Sequence, residues 1–393
     1  MPIKTFAPHA EIVYPRVTSA RQYITQMDGH FRESAHSVVE VTVQFSVPRS
    51  ASVQGWLLQS VGLLTEGTPV HVVYGSGPHQ NVDYYGYVHS YRISTAETDP
   101  KYTMNAEVSV TYTLTGASSD MQSQRSRAWR AVSPSYIART VCRSYRLAPF
   151  IQRGATRLAE RAQNSQSDFA FLRDMAEELG LRLVVDNTSV YLTEPLVSLR
   201  RGREIPSFHL TKISGIRDSV YSFDVLTGEL EPGGGKRTRV ESFGYNRHTK
   251  FLSRTVARTS AQARYTSYTT ALPSSSQKEA GGRAAGKAST SALWVQAQSR
   301  VRGDGRLKVG HEVWFQGVGM GPKNIGTWMV REVAHHLEIH PTDSRLSTFR
   351  SDLVVGRNRP DGLDVIRRDD LTATITASSL STGRWHAQHI GER

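Results

Sequence analysis

The stretch Glu160–Pro195, ERAQNSQSDFAFLRDMAEELGLRLVVDNTSVYLTEP, carries local signals that agree at every level. Ser165 and Ser167 offer side-chain oxygens to the free amides of a helix start, and Asp168 adds negative charge to the first turn. Phe169, Leu172, Ala176 and Leu179 then share one helical face. Gly180 follows the last apolar position and can adopt the left-handed conformation that closes a helix. LRLVV, the polar turn Asp186-Asn187-Thr188 and VYLT read as a β-hairpin, which Pro195 ends. The unit is a helix packed on a hairpin, with no chemistry exposed in it.

Working outward, Ser133-Pro134 reads as a second helix start, with a capping serine and a proline in the first turn. Ile137, Val141 and Tyr145 follow at four-residue spacing, and the helix is expected to end near Leu147-Ala148-Pro149. Upstream, Ile12 to Thr115 is β-rich. Ser37–Val47 alternates as a half-buried strand does. Leu63–Tyr74 holds the turn Gly67-Thr68-Pro69 and a strand, and Tyr84–Ile93 and Tyr102–Leu114 return as strands. Short strands punctuated by Gly and Pro point to a small antiparallel barrel or sandwich. Downstream, Thr211–Ser253 is again β-like, broken at Gly233-Gly234-Gly235. Arg254–Ser291 is rich in Ser, Thr, Ala and Gly and reads as a linker or long loop. Within it, Gln277–Ala292 has helical composition that Gly281, Gly282 and Gly286 weaken. A last β block covers Trp294–Gly356, and the polar tail contains the alternating piece LTATITA.

At 393 residues the chain implies two to three domains. Hydrophobic residues make up 38% and aromatics 9%, enough for packed cores and against a disordered chain. No apolar run is long enough to span a membrane, and the N-terminus lacks a secretory core, so synthesis in the cytoplasm is expected. The single cysteine, Cys142, excludes an internal disulfide and a zinc–cysteine cluster. It shares an apolar helix face with Ile137, Ala138 and Val141 and reads as a buried structural thiol. The formal charge of +13 comes mostly from dispersed arginine, with local groups at Arg200-Arg201-Arg203, Lys236-Arg237-Arg239 and Arg367-Arg368. No helix-turn-helix, zinc-finger or RNA-binding signature accompanies it, which argues against sequence-specific readout. A basic channel through which DNA passes is compatible with it.

No enzyme signature stands out. His335, His336 and His340 invite a metal, but neighbours in a strand point to opposite faces, so His335 and His336 do not chelate one ion together. GVGMGPKNIG joins strands and lacks the Gly-Lys-Ser/Thr of a phosphate loop. Asp174 and Glu178 lie one turn apart on a face that is most simply solvated. No Gly-x-Ser-x-Gly elbow is present. Tyr84, Tyr85, Tyr87 and Tyr91 suggest a sugar platform or, more blandly, an aromatic edge against a neighbouring subunit. No catalytic, cofactor-binding or metal-binding residue is assigned, and no cofactor is expected.

The order Ser167-Asp168-Phe169-x-Phe171-Leu172, helix, Glu178-x-Gly180-Leu181 and the hairpin Leu183–Leu192 resembles the middle of phage tail (baseplate) hub proteins. That family comprises the late control protein D group and the gp27-like N-terminal part of VgrG spikes. SPSYIARTVCRSYRLAPFI, the pattern at Glu66–Val88 and the order at Leu307–His335 are similar to the family's preceding helix, first barrel and second barrel. The resemblance implies a mainly β (α+β) fold, with two tube-like antiparallel β-barrel domains joined by a helix-plus-hairpin domain. The expected division is a first barrel at 1–120, the helix and hairpin at 121–200 and an additional β segment at 201–254. A connector at 255–292, the second barrel portion at 293–356 and an extension at 357–393 complete it.

The implied role is a structural virion protein, not an enzyme: a homotrimeric hub at the distal tip of a tail, assembled in the host bacterial cytoplasm. Six similar barrels would match a six-fold tail tube to a three-fold spike. Implied partners are the tail tube or distal tail protein, a spike or tip protein, the tape-measure protein and DNA in transit, with no stable membrane insertion. The chain shows no needle-like spike repeat and no appended lysozyme domain, so the spike is expected as a separate chain. The rival readings are a tail-tip cell-wall hydrolase, from scattered carboxylates, and a host-glycan-binding adhesin, from the tyrosine strand.

Overall fold

A computed structural model describes residues 8–14, 22–48, 64–77, 81–95, 105–151, 158–200, 204–210, 219–227, 238–245, 252–258, 265–273, 293, 295–317, 320, 324–358, 363 and 366–367. Its first six strands are β1 (His9–Tyr14), β2 (Gln22–Arg32), β3 (Val38–Pro48), β4 (Pro69–Gly75), β5 (Asn81–Thr95) and β6 (Asn105–Gly116), and Val, Tyr and Thr residues dominate β3 to β6. They pair antiparallel in the order β1-β4-β5-β6-β3-β2, and β1 comes back beside β2. Val39, Val41, Val43, Val70, Val72, Tyr84 and Val110 fill the interior, because alternate residues of a strand share one face.

The helix-plus-hairpin region follows. It contains β7 (Gln124–Val132), α1 (Pro134–Ser144), β8 (Ala148–Ile151), β9 (Leu158–Ser167), α2 (Asp168–Leu179), β10 (Arg182–Asp186) and β11 (Ser189–Thr193). Ser133 caps α1 by accepting from the Tyr136 amide. Ser167 caps α2 through the Ala170 amide, and Gly180 closes it at φ 70°. Ser165 instead takes φ 45° and accepts from no helix amide; its own amide donates to Ser126 Oγ. After α1 the chain enters β8, which pairs parallel to β11.

This small sheet is buried on both faces. Leu183, Val190, Leu192 and Ile151 meet the helices, while Val184, Tyr191 and Phe150 meet the second barrel. That is why Leu183, Val184 and Val185 are apolar in succession rather than alternating.

The remaining strands are β12 (Val197–Ser198), β13 (Ser207–His209), β14 (Val220–Thr227), β15 (Thr238–Tyr245), β16 (Leu252–Arg258), β17 (Tyr265–Pro273), β18 (Val295–Arg302), β19 (Glu312–Gln316), β20 (Gly326–Glu338), β21 (Thr348–Arg357) and β22 (Ile366–Arg367). β13-β19-β20-β21-β18-β14 form the second barrel sheet around Trp328, Phe315, Val330 and Val355. Thus β13 and β14, expected in an additional β segment, stand in the second barrel. β15–β17 form a separate three-stranded sheet. Residues 254–258 of β16 and the whole of β17 are therefore strand where a linker was expected: their Thr, Tyr and Val content suits a pleated chain despite the Ser/Ala background. The composition-based helix at Gln277–Ala292 and LTATITA lie outside the described residues. In the tail, β22 pairs parallel to β12.

The two barrel sheets repeat one topology. Numbered within each barrel, both run 1-4-5-6-3-2. The irregularities repeat too. A bulge between Val88 and Ser90 of β5 matches one between Val330 and Glu332 of β20. A bulge between Ile24 and Gln26 of β2 matches one between Val220 and Ser222 of β14. The turn into the fourth strand also recurs. Gly67 (φ 78°) donates to the Val88 carbonyl at 2.8 Å, and Gly310 (φ 80°) donates to that of Val330 at 2.8 Å. Both need the left-handed conformation that glycine adopts without a Cβ penalty.

Bulges insert one residue and flip the alternation beyond them, so matching bulges fix a residue-level equivalence. Tyr91, Ile93 and Thr95 of β5 correspond to Val333, His335 and Leu337 of β20. Met27, Asp28 and Gly29 of β2 correspond to Phe223, Asp224 and Val225 of β14. The first strand departs from the repeat: β1 is antiparallel to β4, whereas β13 is parallel to β19.

Candidate functional site

The feature that organises the chain is the seam between the barrels. β20 is long enough to serve both: its first residues pair with β19, and residues 332–338 pair antiparallel with β2, from Arg32 opposite Glu332 to Gln26 opposite Glu338. One continuous sheet results. On its inner side Met27, Val333, His335 and Leu337 are almost wholly excluded from solvent. Phe31 packs on both cores, with its ring edge-on to Tyr84 at 6.1 Å and to His335 at 5.9 Å. β2 went unread in the sequence because its bulge breaks the apolar alternation, and because Gly29 stands at an inward position. A Cβ there would lie 2.2 Å from the Tyr74 hydroxyl.

The histidines divide across this strand as alternation requires. His335 is buried, with Nδ1 2.8 Å from Ser351 Oγ and Nε2 3.3 Å from the Leu307 carbonyl. Burial pushes its pKa down to about 4, so it is neutral at physiological pH. His336 faces outward, 2.7 Å from Asp28, and that hydrogen bond holds the Asp28 carboxyl below its ordinary value. The His340 ring accepts from the Asp343 amide in a turn. Among the described residues no group of three metal-ligating side chains converges.

A second junction ties the hairpin to both barrels. Arg182 is 4% exposed and donates to Glu33 at 3.3 Å, to the Val197 carbonyl and to the Gly310 carbonyl at 3.4 Å. Glu33 also accepts from Arg331 at 3.3 Å. Residues from β20, from the β2–β3 turn and from the hairpin thus share one ion cluster. Burial lowers the Arg182 pKa, and Glu33 opposes that shift. Nearby, Ser198 donates to Glu312 at 2.5 Å, and Lys308 donates to Asp186 at 3.0 Å.

Asp168, wholly buried, accepts from Tyr145 at 2.7 Å and Gln163 at 2.8 Å, with Arg127 at 3.5 Å. It is a structural anchor as well as a first-turn charge. Glu178 pairs with Arg161 and is 19% exposed, and Asp174 accepts from Gln166. The acidic face of α2 is therefore paired rather than simply solvated. Cys142 is buried, and its thiol is pushed up to about 12 by burial.

Three of the four tyrosines are taken up by the chain's own packing rather than sharing one exposed platform. Tyr84 is fully buried and donates to the Leu114 carbonyl. Tyr85 and Tyr87 pack on the helix-and-hairpin core, where Tyr85 stacks on His71 at 4.1 Å and Tyr87 donates to Asp120 at 2.9 Å. Tyr91 is half-buried. The alternation that placed them on a strand was right, but a domain of the same chain covers one of its faces.

No protein-family model and no curated protein matches the sequence. Solved structures do. A tail protein from Neisseria meningitidis MC58 superposes with a TM-score of 0.59 at 9% identity, over 91% of this chain and 99% of that one. The 43 kDa tail protein of prophage MuSo2 from Shewanella oneidensis gives 0.58 at 11% identity, over 90% and 98%. The E. coli c3393 protein, a type VI secretion component similar to the T4 tail proteins gp27 and gp5, gives 0.54 at 9% identity, over 91% and 79%. This chain has the phage tail-protein fold.

Within that tail-protein fold the outer surface beside the seam is basic. Arg302 and Arg350 stand directly opposite each other across β18 and β21. With Arg300, Arg345, Tyr221 and Glu338 they line a groove of about 750 Å³. Arg300 is neutralised by Asp352 at 2.8 Å. Of the arginine groups singled out in the sequence, Arg200 is half-buried against Glu312. Arg201, Arg203, Lys236, Arg237 and Arg368 lie outside the described residues, and Arg239 and Arg367 are described in backbone only.

Proposed function

We propose that the protein is a non-enzymatic structural component of a phage tail: a homotrimeric hub at the distal tip that adapts a six-fold tube to a three-fold spike. The observation that carries this is the repeated 1-4-5-6-3-2 sheet with its matching bulges. Three copies of a chain with two equivalent barrels present six similar barrels under three-fold symmetry. The tail-protein fold over nine-tenths of the chain agrees with that use. The buried seam and the Arg182 cluster hold the two barrels in one body, as a ring segment requires.

In this reading the chain assembles in the host cytoplasm with the tail tube or distal tail protein above and a spike or tip protein below. The tape-measure protein and DNA pass through the lumen. The opposed pair Arg302 and Arg350, which repel each other unless an anion approaches, is placed at the lumen or at an acidic interface. Electron microscopy of the purified protein tests the proposal. A three-fold ring with six barrel densities around a channel is expected, and compact single-chain particles would contradict it.

A further inference from the structure

We infer that the copies of the ring join by strand addition, β14 of one chain pairing antiparallel with residues 90–95 of β5 in the next. This rests on the trimeric reading above. The chain supplies its own template. At the seam, the second strand of barrel one pairs with the far half of the fifth strand of barrel two, β2 with β20. Because the barrels are equivalent, the same contact repeated around a ring requires the second strand of barrel two, β14, to meet the fifth strand of barrel one, β5.

Both partners have the needed edge. β5 pairs with β4 only up to Tyr87 and with the turn at Val88. Beyond that, among the described residues, one edge is held by β6 and no strand pairs with the other. β14 ends the strand order, with β18 on one edge and none of the described strands on the other. Unpaired strand edges of this kind are templates for another chain.

Burial points the same way. Val333, His335 and Leu337 are buried under the seam, whereas their counterparts Tyr91 and Ile93 are half-exposed and Thr95 is exposed. Met27 and Gly29 are buried, whereas Phe223 and Val225 remain half-exposed. Two apolar edges are left incomplete at the positions where their equivalents complete each other.

The template also fixes the register. Gly29 opposite His335 becomes Val225 opposite Ile93, and Asp28 opposite His336 becomes Asp224 opposite Ser94. Asp224 and Arg92, both exposed, then lie diagonally on the outer face, in reach of an ion pair. The interface joins different surfaces of the two copies, so it closes a ring only if the rotation per chain is one third of a turn.

Disulfide trapping tests this. The variant Val225→Cys with Ile93→Cys should give a covalent three-chain species on a non-reducing gel. The out-of-register control, Val225→Cys with Ser94→Cys, should not. As a second measurement, Asp224→Arg or Arg92→Asp alone should reduce the three-chain mass in solution, and the two together should restore it. A three-chain mass with no trapping, or with equal trapping in the control, overturns the pairing and leaves the hub reading standing. Single-chain mass at every concentration with no trapping overturns both.

Discussion

The far half of β20 and the far half of β5 occupy equivalent places in two copies of one sheet, yet their surroundings differ. The first is roofed by β2 and has an inner side as dry as a domain core. The second carries similar apolar residues left half-exposed. A duplicated fold shows what each edge is suited to receive, because the satisfied copy displays the contact that the other copy lacks. The difference lies in the surroundings of the strands, not in their topology.

The largest effect that would break this comparison is at the junction that fixes the satisfied seam. Arg182→Met leaves Glu33 short of a buried partner and removes the link from the hairpin to the second barrel. A loss of about 3–5 kcal/mol is expected, read as the midpoint of chemical unfolding. A loss under about 1 kcal/mol would mean that the cluster does not hold the barrels together.

Next comes pH. Neutral His335 sits at about 4 in the fold and at the ordinary 6.5 when unfolded. Between those values the unfolded chain binds more protons, so stability is intact above about pH 6.5 and falls as the pH drops toward 4. The effect is on the order of 3 kcal/mol. His335→Ile, which installs the residue found at the equivalent place in the first barrel, should flatten that part of the stability–pH curve.

Smaller is the contact at Gly29. Gly29→Ala should cost about 1–3 kcal/mol by overpacking against Tyr74. Tyr74→Phe should recover part of it in the double variant, because it removes the hydroxyl that the new methyl meets. The smallest effect is at Cys142. Its buried thiol, pushed up to about 12, should resist alkylation in native protein and react only on unfolding.

Much of the helix-and-hairpin region was legible in the sequence because its signals are local. Ser133, Ser167 and Gly180 cap where their residue types suggest, and the hairpin turn falls at Asp186–Ser189. β3, β5 and β6 were legible through alternation. β2 was not, since a bulge and Gly29 interrupt its pattern, nor was β8, where Pro149 masks a strand whose partner, β11, comes only after β9, α2 and β10. The duplication itself was hidden. Equivalent places hold Gly29 and Val225, or Ile93 and His335, so the repeat lies in the bulges and in the left-handed Gly67 and Gly310 rather than in side-chain identity. Bulges depend on pairing between distant strands, which periodicity in one strand does not reveal.

The central claim, that the chain is built to close a ring of three, is tested most directly by its light-scattering mass across a concentration series. The account predicts a mass approaching three times 43.7 kDa as concentration rises. A mass of one chain throughout would contradict it.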